Sequence, residues 1–318
     1  MSNTSGRDPQ QKLKLGLIGL GKIAMDQHIP AIRGNANLEL VAACSPNARP
    51  DGIKVYPDVT TMLEAHPEIE AVAICTPPQV RHAIAKQVIA AGKHVFLEKP
   101  PAATLGEAEA IRALAAAHGV SLLASWHSRF APAVETTRAW IAERTLKSVH
   151  IVWKENVRQW HPGQKWIFAA GGMGVFDPGI NSLSILTRIL ADPVIVKKAD
   201  LHIPVNCDSP IQVELDMVTD KGLAIRADYD FLQEDLQTWS IFVESEAGEK
   251  LALSMGGTTL EIDGKVVLHE KEAEYPGLYA HFYDIVSQQT SDADFSPLRI
   301  VADAFMLGQR IAAPEYIE

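Results

Sequence analysis

The first 126 residues repeat one pattern: a short apolar run, a glycine- or proline-marked turn, then a stretch with apolar residues three and four apart. The runs KLKLGLIGLG (12–21), LELVAACS (38–45), AVAICTPP (71–78), KHVFLEKPP (93–101) and VSLLASW (120–126) are of strand length and bounded by Gly, Pro or Ser. They predict five buried strands. Between them, helices are expected at about 23–32, at 80–92 ending on Gly92, and over the Ala-rich 104–119 ending on Gly119. Strands alternating with helices imply right-handed βαβ units and a parallel sheet.

After about His127 the pattern changes. A helix is expected at roughly 131–143, a strand at SVHIVWKEN, and a glycine turn with a helix within 172–191. Seven strand-like runs then follow between 193 and 270 without helices among them, with DKG (220–222) as a hairpin signal. Such succession predicts a large, open, mostly antiparallel sheet. Helices at about 279–290 and 297–312 complete the reading. The expected fold is α/β: a doubly wound parallel sheet of the Rossmann type over 1–127, with 1–11 a disordered leader, and an α+β domain over 128–318.

Composition narrows the function. Charged residues make up 21% and hydrophobic residues 47%, ordinary for a globular chain. The formal charge is −10, so clustered cations for phosphate backbones or anionic lipid are lacking, and neither nucleic acid nor membrane is an expected partner. Cys44, Cys75 and Cys207 are widely spaced and form no CxxC pair, which argues against a disulfide framework or a zinc site; no metal is expected. The polar N-terminus shows no secretory signal and no run reaches membrane-spanning length, so a cytoplasmic protein is expected.

Chemistry concentrates at strand ends. Gly19-Leu20-Gly21-Lys22-Ile23-Ala24 is a GxGxxA turn between a strand and a helix. The first glycine makes the turn, the second admits a pyrophosphate, and Ala24 lets the helix pack closely. The second strand ends in Cys44-Ser45-Pro46-Asn47-Ala48-Arg49. There is no acid there to bond a ribose 2′-hydroxyl, Ser45 can donate to a 2′-phosphate, and Arg49 is near enough in sequence to reach it, so NADP or NAD is expected. Glu98-Lys99-Pro100 follows the fourth expected strand at the ligand-binding edge. In the second half, Glu155, Trp160, His161, Asp177 and Asn181 are polar groups in apolar surroundings. Asp177 and Asn181, four apart, share a helix face, either as cap and partner or as ligand contacts. Gly171-Gly172-Met173-Gly174 before them is expected to give a ligand flexible access.

With GxGxxA, EKPP and GGMGVFDPGIN in place, the chain resembles the glucose–fructose oxidoreductase/inositol dehydrogenase/MocA family of nicotinamide sugar dehydrogenases, from Lys14 to about Arg310. WKENVRQWHPGQKW and DPGIN are most similar to its branch acting on L-arabinose or D-galactose at C1. The resemblance implies that Lys99, Asp177 and Asn181 surround the C1 of an aldose, and that His127, Glu155, Trp160, His161 and Trp239 line the rest of the sugar. It also implies that Gly19, Gly21, Lys22, Ile23, Ser45, Arg49, Thr76, Pro77, Pro78, His82 and Glu98 lie along the cofactor, and that copies of the chain associate through the second-domain sheet as a homodimer or homotetramer. Many members carry His where this chain has Asn181, which cannot exchange a proton near neutral pH. Either Asp177 or a neutral Lys99 is then the base. Alternatives are an aldose–aldose oxidoreductase, a ketose reductase, or a non-catalytic sugar sensor.

Overall fold

The apolar runs of the first half form a six-stranded sheet in the computed structural model of the chain, which describes residues 11–318. Its strands are β1 (Leu13–Ile18), β2 (Leu38–Cys44), β3 (Val55–Tyr56), β4 (Ala71–Ile74), β5 (His94–Leu97) and β6 (Leu122–Ala124). All pairings are parallel, in the order β3-β2-β1-β4-β5-β6. The order reverses between β1 and β4, so the crevice beyond their carboxyl ends is where a doubly wound sheet takes a ligand. Four helices connect the strands: α1 (Ile29–Gly34), α2 (Val59–Ala65), α3 (Pro78–Ala90) and α4 (Leu105–His118).

The expected helix after the glycine turn is present, but its start is a π-helical turn over Ala24–His28 leading into α1. Helix α4 shows the local grammar well. The Thr104 side chain accepts from the Glu107 N–H at 3.2 Å, Glu107 reaches back to the Ala103 N–H, and Gly119 closes the helix at φ 65°. Strand β3 and helix α2, absent from the sequence reading, extend the sheet edge. Two residues carry too little pattern to be read as a strand.

The second half builds α5 (Val134–Ala142), β7 (Leu146–Lys154), α6 (Val157–Trp160), α7 (Phe176–Ile189), β8 (Val194–Pro204), β9 (Gln212–Thr219), β10 (Ala224–Asp230), β11 (Thr238–Ser245), β12 (Lys250–Ser254), β13 (Thr259–Ile262) and β14 (Lys265–His269). Then come α8 (Glu274–Ser287), α9 (Ser296–Leu307) and β15 (Gln309–Ala313). The nine strands order as β14-β13-β12-β11-β7-β10-β9-β8-β15. Pairs β7/β10 and β8/β15 are parallel, and the others are antiparallel. Helix α7 lies on one face, with Phe176 against Tyr229 of β10 and Phe305 of α9, and Ser182 Oγ 3.0 Å from the Tyr229 hydroxyl.

The C-terminal helix needs correction. The helix expected over 297–312 stops at Leu307, and 309–313 is strand. A Cβ on Gly308 would lie 2.4 Å from the Ala304 carbonyl oxygen, so this close turn requires glycine, and the chain leaves the helix to pair with β8. The chain forms two compact units. One compact unit runs to Trp126 and includes Tyr275–Phe295; the other comprises His127–Glu274 and Ser296–Glu318. Helix α8 from Tyr275 onward belongs with the parallel sheet. The leader expected at 1–11 lies, apart from Gln11, outside the described residues. No helix among the described residues is long and apolar enough to cross a membrane.

The run 171–174 also has a different physical basis from flexible access. Gly174 sits at φ 56°, and a Cβ there would lie 2.1 Å from the Pro210 carbonyl oxygen; one on Gly172 would lie 2.3 Å from the Ile167 carbonyl oxygen. These glycines let backbone pack on backbone and fix the entry to α7. Gly174→Ala should therefore destabilise the protein by about 2–4 kcal/mol. Gly106→Ala in α4, where the nearest atom would be 3.9 Å away, should be neutral or stabilising by up to about 1 kcal/mol. Urea unfolding of both variants checks the contrast.

Candidate active site

In the first unit the residues read as cofactor contacts gather at the carboxyl edge of the sheet. Gly19 follows β1 at φ 90°, its N–H donating to the Cys44 carbonyl at 2.9 Å. A Cβ on it would lie 2.9 Å from the Thr76 nitrogen, so strand β4 and the turn approach as only glycine permits. A Cβ on Gly21 would meet nothing within 4 Å. Lys22 and Ile23 are exposed beside it, while Ala24 is fully buried, as a close helix–strand contact requires. Ser45 follows β2, and its Oγ accepts from the Ala48 N–H at 3.2 Å. Arg49 folds back on this turn, its Nη1 donating to the Ser45 carbonyl at 2.7 Å. Both lie where a ribose-bearing group would be read.

Thr76, Pro77, Pro78 and His82 follow β4, the two prolines opening α3. Thr76 Oγ1 and the nearby Gln79 Oε1 are buried with no hydrogen-bond partner among the described residues. Buried polar atoms are normally satisfied, so two such atoms after β4, where Thr76 closely approaches the Gly19 turn, fit a bound dinucleotide. Gly19, Gly21, Thr76 and Gln79 would hold it, with Ser45 and Arg49 at its ribose. Gln79 escaped the sequence reading because TPPQ carries no signal beyond its turn.

Arg81 was missed for the opposite reason: an arginine inside a helix reads as surface. It is 2% exposed, and its guanidinium donates to the carbonyls of Thr76, Glu98 and Pro100. It thereby ties the end of β4 to the segment carrying Lys99, which is half-buried. Glu98 differs from the expectation. Its side chain is turned into the unit, 3% exposed, accepting from His28 Nε2 at 3.1 Å, Ser125 Oγ at 3.1 Å and the Tyr275 hydroxyl at 3.3 Å. Its carboxylate is a core anchor. Burial alone would lower the His28 imidazole, but Cys75 and the Glu98 carboxylate outweigh it and push the pKa from the ordinary 6.5 up to about 10. The other His28 nitrogen lies 2.7 Å from the Tyr279 hydroxyl.

The second unit assembles its own polar set where β7 and β10 end and β11 begins. The Glu155 N–H donates to the Asp230 carbonyl at 2.9 Å, and Trp239 is paired in register with Trp153. Glu155 is 5% exposed; its Oε2 accepts from Trp239 Nε1 at 2.9 Å and its Oε1 is 3.3 Å from His161 Nε2. Asn156 caps α6 by accepting from the Arg158 N–H, and this single turn presents Trp160 and His161. His161 Nδ1 is 3.9 Å from Asp177 Oδ2, and its ring lies beside Phe231. Asp177 is 4% exposed inside the first turn of α7, whose cap position is Val175, so it is not the helix cap. Asn181 is half-buried one turn on. Trp160 and Trp239 meet edge to face at 5.4 Å. Six predicted residues are thus brought together: Glu155, Trp160, His161, Asp177, Asn181 and Trp239. His127 pairs its Nδ1 with the Glu274 carboxylate. Among the described residues, no group of three or more His, Cys, Asp or Glu is placed to hold a metal ion.

The arrangement can take a proton at a buried carboxylate and hold a polyhydroxylated molecule against indole faces. For the dinucleotide side, Thr76→Val removes a hydroxyl that has no described partner. Thermal stability should stay equal or rise slightly, while the dissociation constant for the dinucleotide should rise about fivefold or more. Melting curves and a fluorescence titration separate the two effects.

Residues 13–125 match the family model described as an oxidoreductase family with an NAD-binding Rossmann fold. A galactose 1-dehydrogenase of Pseudomonas fluorescens is 44% identical over 310 residues, covering 97% of this chain and all of that protein. The crystal structure of a D-galactose-1-dehydrogenase from Rhizobium etli superposes with a TM-score of 0.93 at 48% identity, covering 98% of this chain and 100% of the other. A 3-ketoreductase from Actinomadura kijaniata, 18% identical with a TM-score of 0.83, covering 96% of this chain and 100% of its own, shares the fold. The protein uses a nicotinamide dinucleotide and belongs to the glucose–fructose oxidoreductase/inositol dehydrogenase/MocA family of oxidoreductases.

Proposed function

We propose that the protein oxidises D-galactose and L-arabinose at C1 to the aldonolactone, with NADP or NAD as acceptor. The observation that carries this reading is the likeness over nearly the whole chain, at 44% and 48% identity, to two proteins named as galactose 1-dehydrogenases. When bound, the nicotinamide supplies the hydride acceptor. The chain's own residues then have three tasks. Asp177, buried at the start of α7, takes the proton of the C1 hydroxyl. Asn181, on the same helix face, orients that hydroxyl. Lys99 holds the C1 oxygen, its charge favouring the developing oxyanion.

Recognition of the remaining hydroxyls falls to Glu155 and His161, whose mutual contact and whose bond from Trp239 set their directions. The exposed edge of Trp160 and the face of Trp239 take the C–H side of the ring. His127 completes the lining, and a homo-oligomer formed through the second-unit sheet is part of the same reading. Ser45 and Arg49, with no acid after β2, support NADP as well as NAD.

An initial-rate screen of aldoses with both dinucleotides tests the reading. D-galactose and L-arabinose present the same hydroxyls at C2, C3 and C4, so their kcat/KM values should fall within roughly a hundredfold of each other. D-glucose, the C4 epimer, leaves buried polar groups unpaired and should be more than about a hundredfold poorer than D-galactose. Equal rates on D-glucose and D-galactose would sink the assignment.

The base has its own check. Asp177→Asn preserves shape and should lower kcat by about 10²- to 10⁴-fold while dinucleotide affinity stays unchanged. Retention of most turnover would move the role to Lys99.

A further inference from the structure

We propose that the segment around Tyr316 straps the 156–168 loop in place, making Tyr316 and Arg158 positioning residues for Trp160 and His161. The inference rests on the sugar-site reading above, but its structural half stands apart from it. The loop is poorly anchored by itself. It consists of a single α-turn, Pro162-Gly163, and a short 3₁₀ turn over Lys165–Ile167, and most of its residues from Arg158 to Lys165 are exposed or half-buried. A four-residue helix supplies little stability of its own, yet His161 must be held near Asp177 and Glu155 to be of use.

The anchoring comes from about 150 residues further along the chain. Tyr316 lies with its ring 4.9 Å from that of Phe168, and the Arg158 guanidinium stands over the same ring at 5.2 Å. Arg158 Nη2 also donates to the Ile317 carbonyl at 2.7 Å, and the Gly163 N–H donates to the Glu318 carboxylate. Tyr316 is itself fixed by a reciprocal pair with Asn206: its N–H donates to Oδ1 at 3.0 Å, and its carbonyl accepts from Nδ2 at 2.8 Å. The strap therefore grips both flanks of the Trp160-His161 turn and is held from behind by the residues after β8. The strap's contacts run to Arg158, Gly163 and Phe168, which flank the Trp160-His161 turn, so its effect should fall on sugar binding more than on the chemical step. Misplacement of a positioning loop by about 1 Å is enough to matter.

The experiment uses the full chain. Tyr316→Ala and, as a milder second route, Asn206→Ala are compared with Tyr316→Phe, which keeps the ring. Amide hydrogen exchange over 158–168 without substrate should speed up about tenfold or more in the first two and stay near wild type in the third. The KM for D-galactose should rise about tenfold in the first two, with kcat within about threefold and the dinucleotide KM unchanged, and Tyr316→Phe should restore it. Unchanged exchange in both variants would overturn the strap. Faster exchange with an unchanged sugar KM would overturn its positioning role. A wild type inactive on every aldose would overturn the sugar reading and the kinetic half of this proposal, while the exchange result still decides the structural half.

Discussion

Glu98 buries a carboxylate at the end of β5, and an ionised group there is tolerable only if it is bonded on every side. Its partners come from three separate stretches: His28 beyond the glycine turn, Ser125 after β6, and Tyr275 from α8, with Tyr279 bonded to His28 in turn. Lys99 is the next residue, so the anchor that satisfies Glu98 also sets where Lys99 leaves the sheet. Arg81 does the complementary work with carbonyls, joining Thr76 to Pro100. The dinucleotide edge is thus registered from beneath by two buried side chains, each hydrogen-bonded by groups that the sheet topology converges.

The second unit solves the same difficulty on a smaller scale. Glu155 is buried between an indole N–H and an imidazole, and Asp177 faces the far side of that imidazole. One histidine therefore stands between two carboxylates. Neither carboxylate caps a helix. The parallel β7/β10 pair inside an otherwise mostly antiparallel sheet brings the carboxyl ends of both strands to one edge, and β11 begins there. That geometry is why Glu155, Phe231 and Trp239, far apart in sequence, share one wall.

Much of this was legible beforehand, and for definite reasons. Buried parallel strands read as unbroken apolar runs, and GxGxxA marks its own turn, so the first sheet and its glycine turn were readable. Alternation in 193–270 gave the second sheet strand by strand. What was hidden depended on distance or on packing. Nothing local distinguishes Arg81 or His28 from surface residues, because their partners are carbonyls and side chains up to 251 residues away. The 171–174 glycines read as loose and are instead tightly packed. The strand at 309–313 was absorbed into a helix because its pairing partner, β8, lies about a hundred residues earlier.

The return of 275–295 to the first unit has a consequence for how the chain is made. During synthesis the parallel sheet emerges first, with the imidazole of His28 and the carboxylate of Glu98 already committed to its interior, but Tyr275 and Tyr279 are still unmade. The whole nine-stranded sheet except its last strand must leave the ribosome before those two hydroxyls can close the hub. Residues up to 126 expressed alone would carry two buried polar groups with partners missing. The nucleotide-binding half is first in sequence yet is completed only after most of the second sheet has been made, so the two halves cannot be treated as beads that mature one after the other.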